Sequence, residues 1–252
     1  MTETTDTTED LGIGIRMLSV FRTPAATFAA MASSQSWRDW LIPTLIMAAA
    51  TVAAGIVILP VAGEFTEELM SKQMTAEQRQ ALESMGQDPQ ATMQGMHQAA
   101  QIMGVISAAF LPFISLVVVG ALLLLLSNFV LGGNATYSQM LGVTAYSALV
   151  GLIQLAIATP WIISSGELEV YTGLGMLLSG PPTTFLSLVV AGIDFFSLWQ
   201  IYIMATGMAV LTGLDPRRCL IALAVTWGVF VVGKAGLTVA YLGFTDLAAG
   251  VV

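Results

Sequence analysis

Residues 185–242 read FLSLVVAGIDFFSLWQIYIMATGMAVLTGLDPRRCLIALAVTWGVFVVGKAGLTVAYL, two long apolar runs joined by the polar turn Thr212-Gly213-Leu214-Asp215-Pro216-Arg217-Arg218. Each run carries one ionisable residue deep within it, Asp194 in the first and Lys234 in the second. Read as a helical hairpin across a bilayer, Asp194 lies nine residues in from Phe185 and Lys234 eight residues back from Leu242. At about 1.5 Å per residue both fall roughly 12–14 Å below the same surface. A lone Asp or Lys at mid-membrane costs about 2.5–3.5 kcal/mol, so two at matching depth point to an intramembrane charge pair. The competing reading has Lys234 snorkelling outward along its apolar stem while Asp194 caps a cavity or binds water.

Working outward, the whole chain has the composition of a lipid-embedded protein. Hydrophobic residues make up 56% and charged residues 10%, and the mean hydropathy is +0.82. These values lie far from those of soluble domains. Five runs are long enough to cross about 30 Å of hydrocarbon as helices: 41–61, 102–131, 139–163, 185–211 and 219–242. The expected fold is therefore an all-α polytopic bundle occupying residues 11–252, with an extracytoplasmic helical loop at 62–101. One cysteine, Cys219, excludes internal disulfides and thiolate metal cages, and its place at a helix start suits a small filler. The net charge of −8 comes mostly from acids outside the apolar runs. No basic patch exists, which excludes nucleic acid as a partner. Residues 1–10 are rich in Thr and acids and are expected to be a disordered tail. They have no positive n-region, so the first span is expected to direct insertion itself.

Between tail and first span, Leu11, Ile15, Leu18 and Phe21 recur at helical spacing, and Thr23-Pro24 restarts a helix. Neither piece can cross a membrane; they either lie among the headgroups as interfacial amphipathic helices or pack under the bundle. Trp37 and Trp40 mark the interface before the first span. In the polar segment Glu64–Gln101, Thr75-Ala-Glu-Gln78 is a capping-box pattern and Gly86 with Pro89 breaks the helix, giving two short helices. Met93, Met96 and His97 in that segment could serve Cu(I), but adaptable packing is the ordinary role of such methionines. No metal or other cofactor is expected. Asn128, near the end of the second span, is read as an interhelical or terminal hydrogen-bonding residue. Gly132-Gly133-Asn134 turns the chain, and Thr136-Tyr-Ser-Gln139 is a capping box opening the third span. Gln154 and Gln200 are polar groups at membrane depth, either packing glue or the lining of a cavity.

Arg16, Arg22, Arg38, Arg217 and Arg218 fall on one side of this topology, with Lys72 and Arg79 on the other. The positive-inside rule then predicts a multi-pass protein of the cell (inner) membrane with its N-terminus in the cytoplasm and its C-terminus outside. Val130-Leu131-Gly132-Gly133 echoes Val210-Leu211-Thr212-Gly213, a faint trace of internal duplication.

Several of these stretches taken together resemble a known family. Phe21-Arg22-Thr23-Pro24 followed by Phe28, the turn Gly132-Gly133-Asn134-Ala135-Thr136-Tyr137, the run Asp194-Phe-Phe-Ser-Leu-Trp199, and the Gly-Leu-Asp-Pro-Arg turn starting at Gly213 are similar to the prokaryotic branch of the Yip (Ypt-interacting protein) family. The resemblance covers about residues 20–240. It implies a five-span membrane protein with a cytoplasmic N-terminus. Eukaryotic members act in vesicle traffic with Rab-type GTPases and with one another, and the very short N-terminal tail here departs from that role.

No catalytic constellation is present: the single histidine sits in a Gln- and Met-rich segment without a neighbouring nucleophile, and no Gly-rich phosphate loop occurs. The expected function is that of a non-enzymatic scaffold or interaction protein. Its partners are the lipid bilayer and other membrane proteins or a second copy of the chain. The alternative is a small-solute or ion transporter or channel using Asp194 and Lys234, with Gln154 and Gln200, at membrane depth.

Overall fold

The computed structural model describes residues 12–33, 35–73, 76–86, 88–168, 170–178 and 180–248. The expected tail at 1–10 and the capping residue Thr75 lie outside the described residues. Among the described residues ten α-helices follow in order: α1 Ile13–Ser19, α2 Pro24–Ser33, α3 Arg38–Gln73, α4 Ala76–Ser84, α5 Pro89–Leu125, α6 Tyr137–Ala148, α7 Val150–Ser165, α8 Phe185–Ala191, α9 Phe195–Thr212 and α10 Pro216–Ala248. No strand occurs among the described residues; the one bridge joins Gly173 to Asp194. Among the described residues five helical stretches are long and apolar enough to span a bilayer: Arg38–Glu67, Pro89–Val130, Tyr137–Ser165, Phe195–Thr212 and Pro216–Phe244. A helix satisfies its own backbone groups, which is why such runs cross hydrocarbon in this form. The protein is a polytopic, all-α membrane protein.

The fourth span departs from expectation. Residues 185–211 form two helices rather than one. Thr184 and Ser187 make a reciprocal capping box that opens α8, which ends at Gly192, and Asp194 caps α9. The polar segment also differs from a loop with two free short helices. α3 continues out to Gln73, α5 starts at Pro89 with Asp88 accepting from the Gln90 amide at 2.8 Å, and only α4 stands alone between them. Pro89 is thus a first-turn residue, where its missing amide proton costs little.

The chain divides into two compact units. The first comprises Met1–Thr44, Ser115–Gly151 and Tyr171–Val252. Its core is built where α2 and α6 meet α9, around the fully buried Phe28, Met140, Val143, Tyr146, Ile203 and Met208. Leu116, Leu141 and Ala145 form a second buried cluster against Trp40.

The turn after α5 is well specified. A π-helical turn, Leu126–Val130, closes with the Leu131 amide donating to the Leu126 carbonyl at 3.0 Å. Gly132 sits at φ +74°, the left-handed region open to glycine. A Cβ on Gly133 would lie 2.9 Å from Ser127 Oγ and 3.1 Å from the Ser127 carbonyl oxygen. Asn128 reaches across: its Nδ2 donates to the Ala135 carbonyl at 3.0 Å and its Oδ1 accepts from the Ala135 amide at 2.8 Å. The capping box read from sequence forms next, with Thr136 accepting from the Gln139 amide and Gln139 from the Thr136 amide. Asn128→Leu strands both Ala135 backbone groups, so it is expected to destabilise by about 1–3 kcal/mol. Hydrogen exchange at the Ala135 amide should accelerate while α10 stays protected; unchanged exchange would remove the staple from this account.

The second unit comprises Leu45–Ile114 and Leu152–Val170. Within it α3 and α5 run side by side, the Thr51 hydroxyl donating to the Ala108 carbonyl at 2.8 Å. Farther along, the His97 ring lies over Gly63, where a Cβ would approach it to 3.3 Å. His97 Nδ1 stands 3.4 Å from Glu67 Oε1, and His97 Nε2 lies 2.6 Å from the Gln101 side-chain amide nitrogen. These polar contacts hold the helical extensions of α3 and α5 together.

Candidate functional site

Among the described residues the most heavily buried charges belong to an ion pair between Arg16 of α1 and Asp39 in the first turn of α3. Arg16 NH1 is 3.0 Å from Asp39 Oδ1, and the two side chains are 6% and 2% exposed. The other Asp39 oxygen accepts from the Ser36 amide at 2.8 Å. Tyr146 of α6 brings its buried hydroxyl beside the pair. The Arg16 Nε has no acceptor of its own among the described residues, so Asp39 is what compensates the guanidinium. A charge buried in this way requires a partner, because desolvation alone would expel it.

Hydroxyl contacts close the N-terminal hairpin next to this pair. Ser19 and Thr27 hydroxyls meet at 2.8 Å, tying α1 to α2, and the Thr23 hydroxyl donates to the Ser19 carbonyl. Pro24 opens α2, as its spacing predicts. α2 then runs along α9 in the same direction: Phe21 meets Trp199 edge-on at 5.9 Å, and Phe28 lies against Gly207 one helical stretch later. Phe28 also packs edge-on against Tyr146, 6.2 Å between centroids. Of the two readings of this region, α2 takes the packed one, whereas α1 leaves Ile15 and Leu18 exposed.

Asp194 and Lys234 are not joined. The Asp194 carboxylate accepts from the Ser197 amide at 2.9 Å and from the Ser197 hydroxyl. Lys234 is exposed on α10, and no ion pair links it to Asp194 among the described residues. The cause is local. The Gly192-Ile193-Asp194 break turns the carboxylate back onto the first turn of α9. Across the break, the Leu174 amide donates to the Ile193 carbonyl at 3.0 Å, and a Cβ on Gly173 would fall 2.2 Å from that oxygen. Only glycine allows the 173–178 segment this approach.

A family model described as the Yip1 domain matches residues 18–237. The chain belongs to the Yip1 domain family. No curated protein and no solved structure matches it. The matched Yip1 domain contains Asp39, Tyr146, Asp194 and Lys234, while Arg16 precedes its first residue by two positions. In this Yip1 domain Gln154 and Gln200 are both half-buried, on α7 and α9, and Gly132 and Gly133 shape the turn described above. Met93 is half-buried and Met96 exposed on α5, while both His97 ring nitrogens face Glu67 and Gln101.

Sequence reasoning missed the Arg16–Asp39–Tyr146 group. One signal was present: Ser36-Trp-Arg-Asp39 is the Ser-x-x-acid pattern that precedes an apolar run, and the Ser36 amide to Asp39 bond is one arm of it.

Proposed function

We propose that this Yip1-domain protein is a non-enzymatic membrane scaffold that holds other membrane components, resident in the cell membrane with its N-terminus in the cytoplasm and its C-terminus outside. One observation carries the reading: the charged and amide groups near the helix breaks are spent on the fold itself. Arg16 is taken by Asp39, Asn128 by the Ala135 backbone, and Asp194 by the first turn of α9. A carboxylate already accepting a backbone amide and a hydroxyl is poorly placed to bind and release a passing ion. The orientation rests on Arg22, Arg38, Arg217 and Arg218, since Arg16 is consumed internally. At the turn bearing the last two, the Arg218 and Arg217 backbone amides donate to Asp215 and hold its carboxyl below the usual carboxylate range.

The transport reading retains one supporting feature, the backbone break between α8 and α9, since discontinuous helices build the ion sites of transporters. The two readings separate in vesicles of phosphatidylethanolamine and phosphatidylglycerol carrying the purified protein. Under imposed Na+, K+ or proton gradients, flux is expected to equal that of protein-free vesicles. A gradient-driven flux that disappears in Asp194→Ser would overturn the scaffold reading in favour of transport.

A further inference from the structure

The turn after the second span and the turn before the last lie side by side. A Cβ on Gly133 would fall 3.0 Å from Leu214 Cδ1, so the two turns touch within the first unit. What each presents there differs in kind. The turn after α5 buries Leu126 and Ser127 and ties Asn128 to the Ala135 backbone, which leaves Phe129 and Val130 facing outward, 85% and 61% exposed. The turn before α10 presents Arg217 and Arg218, both exposed.

Neither arginine is spent within the protein. Asp215, the acid beside them, accepts from the Arg217 and Arg218 backbone amides at 2.8 and 3.0 Å, and among the described residues no ion pair holds either guanidinium. The turn therefore keeps a net positive charge with both guanidiniums free, the reverse of Arg16, which Asp39 consumes. An uncovered aromatic ring beside free arginines is the composition of the headgroup boundary. There the ring enters the acyl layer and the guanidinium stays among phosphates.

We propose that the paired turns are a docking surface for anionic phospholipid, with the Arg217 and Arg218 guanidiniums on the headgroup phosphate and Phe129 and Val130 among the acyl chains. Charge complementarity carries the assignment. A guanidinium matches a phosphate through two parallel hydrogen bonds, and phosphatidylglycerol offers that phosphate with no choline or ammonium to offset it. Each arginine near the surface is worth about fivefold in preference for an anionic lipid. The Gly133 contact is what joins the apolar half to the basic half, since a side chain there would push Leu214 away. This surface deepens the scaffold reading, on which it rests, by naming anionic phospholipid as a membrane component that the protein holds.

The full-length protein in nanodiscs of mixed phosphatidylcholine and phosphatidylglycerol tests it, with trace spin-labelled lipid of either kind reporting association. Phosphatidylglycerol should be held beside the protein in preference to phosphatidylcholine. Arg217→Gln with Arg218→Gln should lower that preference about tenfold, and Arg217→Lys with Arg218→Lys should retain most of it. The glutamine pair keeps the backbone amides that bind Asp215, and an unchanged unfolding midpoint in detergent shows that it folds. A nitroxide on Phe129→Cys gives an independent readout, because Cys219 is fully buried and only the new thiol takes the label. It should be relaxed by oxygen dissolved in the acyl layer rather than by a water-soluble nickel complex. Four results would each overturn the proposal: equal association of the two lipids with wild type, a preference unchanged in the glutamine pair, a nitroxide in water, or inorganic phosphate displacing phosphatidylglycerol better than chloride does at equal ionic strength. Any of these, with vesicle flux still at background, removes the lipid surface alone; gradient-driven flux removes the scaffold reading itself.

Discussion

Asp39→Ala is expected to destabilise the protein by about 3–5 kcal/mol, because it leaves the Arg16 guanidinium buried without its counter-charge. The pair is nearly sealed from solvent and its second oxygen is committed to Ser36, so water cannot readily take the place of the lost carboxylate. Little of the variant should accumulate in membranes, and its unfolding in a detergent titration should come much earlier than that of wild type. Arg16→Met with Asp39→Leu removes both charges at once and is expected to recover most of the loss, since well-packed apolar groups often replace a buried pair without cost. A single-variant loss under about 1 kcal/mol would place the pair among solvent-exposed ion pairs and dissolve its role as the anchor of α1.

Phe28 and Gly207 are expected to behave as one contact. The Phe28 ring is fully buried between Tyr146 and α9, and a Cβ at position 207 would fall 2.8 Å from its Cε2 and Cζ and 2.9 Å from Val143 Cγ2. Phe28→Ala removes a buried ring and is expected to cost about 3–5 kcal/mol. Gly207→Leu overfills the same space, at about 1–3 kcal/mol. Combined, the two should cost clearly less than their separate losses together, because the leucine occupies volume the ring has vacated. Thermal unfolding of the four proteins in detergent measures the coupling. Simple additivity would mean that α2 is not seated on Gly207.

Much of the architecture could be read from residues alone because lipid imposes a coarse rule: an apolar run of sufficient length becomes a helix. Hence five spanning helices emerge near the predicted places, and the Thr136–Gln139 capping box forms as its pattern predicts. The same rule hid the break at Gly192–Asp194. The run stays greasy through it, and the cue that mattered, Asp194 followed three residues later by Ser197 at a helix start, weighs little against hydropathy. Depth alone pairs Asp194 with Lys234, but depth does not fix the direction in which a side chain leaves its helix. Arg16 and Asp39 failed to stand out for the opposite reason. Each resembles an ordinary charge flanking a span, and only the packing of α6 across both makes them interior.

The anchoring of α1 has a consequence for biogenesis. Arg16 and Asp39 are only 23 positions apart, so both leave the ribosome before most of the first transmembrane segment, whereas Tyr146 emerges more than a hundred residues later. The nascent chain can therefore close this loop early, in contact with water, and the lid over it arrives only when the third segment leaves the translocon. Their closeness in sequence thus allows these charges of the mature protein to come together while still hydrated, when their union costs least.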